Sequence, residues 1–328
     1  MTAARLLSPA HPPFTCRALK HAPGGTITLN KLACFIAAAC AAAFDSPAAA
    51  ADLTLDASTN FTIPVEVRGQ TIAMRVDLES SGYPTMNPAV AARLGFRGSL
   101  FGARAIVGPV RLNGEQNGAK FRIAGVQRSY RFAFFDRNVV EGADGLISPH
   151  VIPYDTVTYR LRPEQPGEVT TTLPMIFDQS GGIVYPLQLG DRRVAVEFSL
   201  LQPNSFTTAS AGAHFASFYG GEWAGEPRLQ LVKFGVERPM RPMRFGRPLD
   251  VGGFGVANLL VRTGDHRGNF QLPPDAQQDP DEIVVTGNVE RTRARLYMTV
   301  GLDRLSACSS LTYRQATKTL TLKCLPLA

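Results

Sequence analysis

One carboxylate stands where an apolar strand meets a polar turn, in the stretch MRVDLESSGY (residues 74–83). Asp77 is therefore a candidate catalytic residue, because acid–base catalysis needs a titratable group held at a fixed position. Two carboxylates a few ångströms apart do not both ionise readily, so they can share one proton. Glu79 lies two residues further on and is one candidate for the second carboxylate; the alternative is a loop glutamate that faces solvent.

The elements that must position Asp77 occur twice in the chain. Residues 63–78 (IPVEVRGQTIAMRVDL) and 185–200 (YPLQLGDRRVAVEFSL) align at an offset of 122 without a gap. Each copy predicts a strand, a polar turn, an alternating strand, a polar loop and a short Ala-rich helix. In the first copy, NPAVAARLG predicts a helix with Asn87 as its N-cap and Gly95 closing it.

The second copy has no aspartate at the equivalent position, because the offset places Ser199 opposite Asp77. A lone aspartate cannot act as both general acid and general base. Glu197 precedes Ser199 by two residues and shares its strand face, so it is another candidate carboxylate; the alternative is a charged side chain at the sheet surface. Two further alternatives stay open: two chains could each supply Asp77, or Asp77 could be a purely structural hydrogen-bond acceptor.

Both copies also end alike, with Gly145-Leu146 and Gly301-Leu302 preceding a turn and an outgoing strand. The polar, Pro-containing stretch RPEQPGEVTTT (162–172) predicts a boundary between two related β lobes. The predicted organisation is an all-β chain with short helices and a polar, Pro-rich insertion, with lobes at residues 52–165 and 172–328 and the insertion near 264–282.

These motifs resemble those of the pepsin and retropepsin superfamily of aspartic proteases, and more closely those of bacterial secreted aspartyl-protease-like proteins. The family pattern is a hairpin, an apolar strand, Asp-Thr/Ser-Gly-Ala/Ser, and a helix ending in Leu-Gly. Asp77 falls on the catalytic aspartate, whereas Leu78 and Glu79 replace the Thr/Ser and the Gly. DGLIS (144–148) and VGLDRL (300–305) fall on the strands that pass beneath the two catalytic loops.

The resemblance implies a bilobal pepsin-like fold, with Asp77 and Ser199 facing each other across a cleft. The damaged motif favours a non-catalytic homologue that binds a peptide or another periplasmic protein in that cleft. One alternative is an active, divergent endopeptidase that uses Asp77 with Glu79 or Glu197. The other is a structural envelope protein with no ligand in the cleft.

The N-terminus predicts a secretory signal peptide cleaved near Ala51, and hence a periplasmic or secreted protein. Lys31 precedes the apolar run Leu32–Phe44, which is followed by small residues and is too short to span a membrane. A non-cleaved anchor is the alternative, and residues 1–30 form an unusually long prelude. Lipoprotein anchoring at Cys40 is disfavoured, because Ala37 stands where such sites usually carry Leu.

Cys308 and Cys324 are the two cysteines that follow the signal segment. They flank two alternating runs around QATK, which predict a hairpin whose ends meet. In an oxidising compartment this predicts a Cys308–Cys324 disulfide, with two free buried thiols as the alternative.

The composition disfavours several other classes of protein. The net charge of +7 falls to +4 once residues 1–51 are removed, which does not indicate a nucleic-acid binder. His150, His214 and His266 lack metal-ligand spacing, and neither a metal nor a cofactor is expected. The Arg-rich stretch 238–248 is interpreted as a solvated loop, with binding of an anionic partner as the alternative. DEIVVTG (281–287) is either an ordinary strand or a site for strand addition by a partner, and a monomer is expected.

Overall fold

Short strands that bury alternate side chains make up most of this chain, as the sequence pattern predicts. A computed structural model describes residues 52–80, 82–98, 102–178, 182–263 and 296–327. The predicted signal segment with Cys40, the insertion near 264–282, His266 and the stretch 281–287 lie outside the described residues. The all-β class with short helices is confirmed.

The described part of the first half contains nine strands, a 3₁₀ turn (Ala57–Thr59) and helix α1 (Pro88–Arg93). The strands are β1 (Leu53–Asp56), β2 (Thr62–Val67), β3 (Gln70–Val76), β4 (Thr85–Met86), β5 (Gly102–Val107), β6 (Val110–Ile123), β7 (Val126–Phe134), β8 (Gly145–Ile147) and β9 (Thr156–Arg160). Seven of them form a sheet in the order β2-β3-β8-β4-β7-β6-β5.

The described part of the second half contains twelve strands and helices α2 (Ala209–Tyr219) and α3 (Leu302–Leu305). The strands are β10 (Val169–Pro174), β11 (Ile176–Asp178), β12 (Gly182–Leu189), β13 (Arg192–Phe198), β14 (Phe206–Thr207), β15 (Gly221–Trp223), β16 (Arg228–Lys233), β17 (Val236–Val251), β18 (Phe254–Arg262), β19 (Tyr297–Val300), β20 (Cys308–Arg314) and β21 (Thr319–Cys324). Nine of them form a sheet in the order β11-β12-β13-β19-β14-β18-β17-β15, with β16 on β17.

The two halves repeat one pattern of strand pairing. Hairpins β2–β3 and β12–β13 each run parallel to a later strand, β8 or β19. A two-residue strand, β4 or β14, then pairs antiparallel with that later strand and parallel with a second one, β7 or β18. A helix follows at once in each case. The duplication inferred from an offset of 122 is therefore a duplication of topology.

A third sheet joins the halves in the order β1-β9-β20-β21-β10. All described residues belong to one compact unit. The predicted lobe limits, 52–165 and 172–328, stay a prediction. Within this sheet, β20 and β21 form the predicted hairpin, and the Cys308–Cys324 disulfide is confirmed.

Asn87 is the N-cap residue of α1, as predicted, but its side chain makes no capping hydrogen bond. Its amide instead bonds backbone groups of Val139, Val140 and Ala143, which lie in the loop before β8. One local prediction was wrong. The Arg-rich stretch 238–248 is part of strand β17 rather than a loop. Met240 and Met243 are almost fully buried there, so apolar burial holds the stretch in the sheet. No helix within the described ranges is long and apolar enough to cross a membrane.

Candidate functional site

Asp77 and Ser199 occupy equivalent positions directly after β3 and β13. The Asp77 N–H donates to Ile147 O at 3.0 Å, and the Ser199 N–H donates to Val300 O at 3.0 Å. Each bond ties the residue to the end of the neighbouring parallel strand, β8 or β19. The pairing that the sequence repeat predicted is therefore present in the backbone.

The Gly-Leu equivalence predicted from the sequence was wrong by three residues. Gly145 pairs with Met74 in β3, and the corresponding pair in the second half is Met298 with Val196. Gly301 follows β19 and precedes α3. A Cβ on Gly145 would lie 2.2 Å from Thr85 O, so the β8 crossing requires glycine. In β19 the equivalent residue is Met298, which carries a side chain.

The loops that follow β3 and β13 are bonded to the opposite halves of the chain. The guanidinium of Arg75 donates to Leu200 O at 2.7 Å, and the Ile183 N–H donates to Leu78 O at 3.1 Å. Leu78 itself is buried. The junction of the halves is thus built from the backbone next to the two positions of interest.

Glu79 connects Asp77 to Ser199. Its backbone N–H donates to Asp77 Oδ1 at 2.8 Å, and its carboxylate accepts a hydrogen bond from Ser199 Oγ. The side chain is buried, so the solvent-facing alternative for this glutamate was wrong. Glu79 therefore places a carboxylate against Ser199, the residue equivalent to Asp77.

Lys233, at the end of β16, supplies the counter-charge of Glu79. Its Nζ donates to Glu79 O at 3.1 Å and lies 3.7 Å from Glu79 Oε1. Because Asp77 and Ser199 are fully buried, they do not line an open cleft in this structure. The end of β16 lies against the neighbouring Glu79 through Lys233.

Burial and the nearby charge of Glu79 raise the pKa of Asp77 to about 7. Arg75, Lys233 and the hydrogen bond from the Glu79 N–H act in the opposite direction. Asp77 Oδ2 and the hydroxyl of Tyr159 are buried with no hydrogen-bond partner among the described residues. A carboxyl group with this pKa exchanges its proton near neutral pH.

Glu197 is buried close to the same group. Its carboxylate accepts hydrogen bonds from the hydroxyls of Tyr297 and Thr299, the latter at 2.8 Å. Burial, and then the charge of Glu79, raise its pKa well above the ordinary value. Glu197 is buried in the sheet of the second half. The alternative in which it is a charged side chain at the sheet surface was therefore wrong.

Three residues of this site escaped the sequence analysis: Arg75, Lys233 and Tyr159. Arg75 carried a signal, since it is a cation inside an otherwise apolar strand that leads to Asp77. Lys233 and Tyr159 carried none, because both come from segments far away in sequence.

The described histidines have local roles. His150 Nδ1 and Ser148 Oγ share a hydrogen bond at 2.7 Å, and the His150 ring lies 4.2 Å from that of Phe177. His214 Nε2 donates to Leu189 O at 3.0 Å. Across the described ranges, no group of three or more His, Cys, Asp or Glu is arranged to hold a metal ion.

Comparison with known proteins identifies no family. No family model matches the chain, and no curated protein matches it in sequence. Among solved structures, EIAV protease complexed with the inhibitor HBY-793 is similar, with 14% identity and a TM-score of 0.23. The match covers 27% of this chain and 82% of that one. The fold is therefore assigned from the strand pairing described above and not from this similarity.

Proposed function

We propose that this protein is a non-proteolytic relative of the aspartic proteases that binds an extended polypeptide where its two halves meet. The observation that carries the proposal is Ser199, which stands in the backbone position equivalent to Asp77 and donates its hydroxyl hydrogen to Glu79. A hydroxyl cannot share a proton with Asp77 as a second carboxylate does.

The electrostatics of Glu79 support the same proposal. Its carboxylate already accepts the Ser199 hydroxyl and lies beside the Lys233 ammonium. These two contacts engage both oxygens of the carboxylate, and Glu79 contacts Asp77 through its backbone N–H instead. Glu79 therefore stabilises the junction of the halves and does not replace the missing aspartate.

The free-energy cost of burying the carboxyl groups at this site supports binding rather than a purely structural role. Three carboxyl groups, Asp77, Glu79 and Glu197, are buried together, and Asp77 Oδ2 lacks a partner among the described residues. Well-packed apolar residues at such a place are often equally or more stable. Buried charge retained where two halves meet is typical of functional sites.

We propose a periplasmic or secreted location for this activity. The signal-like N-terminal sequence supports the proposal, and so does the Cys308–Cys324 disulfide, because such bonds persist in oxidising compartments.

The test is to incubate the purified protein and its Asp77→Asn variant with a diverse peptide library from about pH 3 to pH 8, a range that spans carboxyl titration. Mass spectrometry then reads every cut, and size exclusion followed by elution reads every retained peptide. We expect retained peptides and no cuts that depend on Asp77. Cuts present only with the unsubstituted protein would contradict the non-proteolytic proposal, and absence of retained peptides would favour a structural envelope protein.

A second candidate function, a divergent endopeptidase, is favoured by one observation: burial, and then the charge of Glu79, raise the pKa of Asp77 to about 7. Paired carboxyl groups with separated pKa values are the signature of acid–base catalysis. In this case cleavage has an acid optimum and is lost in both Asp77→Asn and Glu79→Gln. If Glu197 is the second carboxylate instead, cleavage is lost in Glu197→Gln.

A further inference from the structure

The tip of the β16–β17 hairpin lies against the candidate site and has an unusual turn. Lys233 pairs with Val236, and Phe234 and Gly235 form the two-residue connection with φ angles of 54° and 70°. Such turns favour Asn-Gly, because bulky residues rarely adopt positive φ. Arg68-Gly69 and Ala124-Gly125 are the same kind of turn, but neither places an aromatic ring at its tip.

The aromatic ring at this tip is anchored in the first half of the chain. Phe234 stacks on Phe135 with 5.0 Å between ring centroids and an interplanar angle of 27°. Val139 and Val140 belong to the same apolar cluster, and Phe234 is only 7% exposed. This contact compensates the strained turn, and strain that contacts maintain in this way is typical of functional segments.

Three consecutive residues of the tip are therefore held in three different ways. The Val232 carbonyl accepts a hydrogen bond from the Gln202 amide. The Lys233 ammonium binds the carbonyl and carboxylate of Glu79. The Phe234 ring packs on Phe135. A backbone contact, a charge contact and an apolar pocket for three successive residues are what a site for a peptide ligand provides.

We propose that Val232–Phe234 is an internal occupant of the peptide site, and that the ligand carries an apolar, a basic and an aromatic residue in succession. This inference rests on the proposed function and names the ligand class for the same site. When the hairpin lifts, the Glu79 carboxylate loses its counter-charge and Phe135 loses its covering ring. Both losses destabilise the open form unless an equivalent partner binds, and a basic residue followed by an aromatic one restores both contacts.

The tip competes with any external peptide because it is part of the same chain. Its effective concentration is high, so the open form is a small fraction of the population, and the apparent affinity of a peptide falls by that fraction. Weakening the anchors of the tip should therefore raise the affinity for the right peptide.

The decisive variant is Lys233→Ser with Phe234→Asn in the full chain. Asn-Gly suits this turn, so the hairpin keeps its connection while both side-chain anchors are removed. Ala124→Asn makes the same turn substitution at the β6–β7 connection and is the matched control. Lys233→Gln alone is a milder variant for use if the double variant does not fold, as judged by circular dichroism.

The probes are two fluorescein-labelled peptides, one containing Val-Lys-Phe and one with Glu in place of the Lys, and the measurement is fluorescence anisotropy. We expect the double variant to bind the Lys peptide at least about tenfold tighter than the unsubstituted protein does, which corresponds to about 1.4 kcal/mol. It should also prefer the Lys peptide to the Glu peptide by a similar factor, while Ala124→Asn behaves as the unsubstituted protein. Equal affinity for the two peptides, or no gain in the double variant, overturns the inference.

The same double variant separates this inference from the proposed function. If it retains library peptides without enrichment of basic–aromatic pairs, the ligand class is wrong while the peptide-binding function stands. If it retains no peptide at all, both are wrong.

Discussion

Asp77 and Ser199 are equivalent in the backbone and joined through Glu79, which bonds Asp77 with its N–H and Ser199 with its carboxylate. The duplicated framework thus holds an aspartate on one side and a hydroxyl on the other. Glu79 also forms an ion pair with Lys233. Each prediction below tests one part of this arrangement.

The stability of the protein should depend on the protonation of Asp77. Its pKa rises from 3.8 to about 7 on folding, so between these values the native state holds a proton that the unfolded chain has lost. The stabilisation is complete below about pH 4 and is lost as the pH rises through 7, at about 1.4 kcal/mol per pH unit. Asp77→Asn should reduce the slope of the unfolding free energy against pH by that amount. The measurement is urea denaturation from pH 4 to 8.

The control for this titration is Asp191→Asn, since the Asp191 side chain is 84% exposed. Its pH dependence should match that of the unsubstituted protein. An unchanged slope in Asp77→Asn would mean that Asp77 does not carry the raised pKa.

Removing the Ser199 hydroxyl should destabilise the junction of the halves. Ser199→Ala leaves a buried carboxylate oxygen of Glu79 without its donor, which typically costs about 1–3 kcal/mol. Ser80→Ala is the matched control, because Ser80 Oγ is buried nearby with no hydrogen-bond partner among the described residues. Ser80→Ala should change the unfolding free energy by less than about 0.5 kcal/mol, and equal losses in the two variants would contradict the role given to Ser199.

Lys233 should stabilise the protein through Glu79. Lys233→Met removes the counter-charge of a buried carboxylate and should cost about 2 kcal/mol. In a Glu79→Gln background the same substitution should cost at least about 0.5 kcal/mol less, because no charge is left unpaired. Arg228→Met, at the other end of β16, is the control and should be close to neutral. Additive effects of Lys233→Met and Glu79→Gln would rule out the ion pair.

The β8 crossing should tolerate no side chain at Gly145. Gly145→Ala drives a Cβ to 2.2 Å from Thr85 O and should cost about 3 kcal/mol, measured as a lower midpoint of urea denaturation. At Gly118 an added Cβ meets nothing within 4 Å, so Gly118→Ala should be nearly neutral. A stable Gly145→Ala variant would show that β8 does not cross as closely as described.

Patterns local to the sequence predicted much of the fold. The offset of 122 located the equivalent hairpins and loops, and the paired alternating runs located the disulfide hairpin. Asn87 is at its predicted N-cap position, but its amide bonds the loop before β8 instead of capping the helix. Prediction failed where burial overrode local preference, because buried Met240 and Met243 draw a Pro- and Arg-rich stretch into a strand.

The sequence by itself determined that the two hairpins and the loops after them are equivalent, that Ser199 stands opposite Asp77, and that no second aspartate stands there. These are properties of order along the chain. Only the tertiary structure decided that Glu79 turns inward onto Ser199 and that Lys233, 154 residues away, neutralises it. It also decided that the pKa of Asp77 rises to about 7. The reason is that desolvation and charge pairing depend on which distant segments pack together, and the local pattern around Asp77 does not record those neighbours.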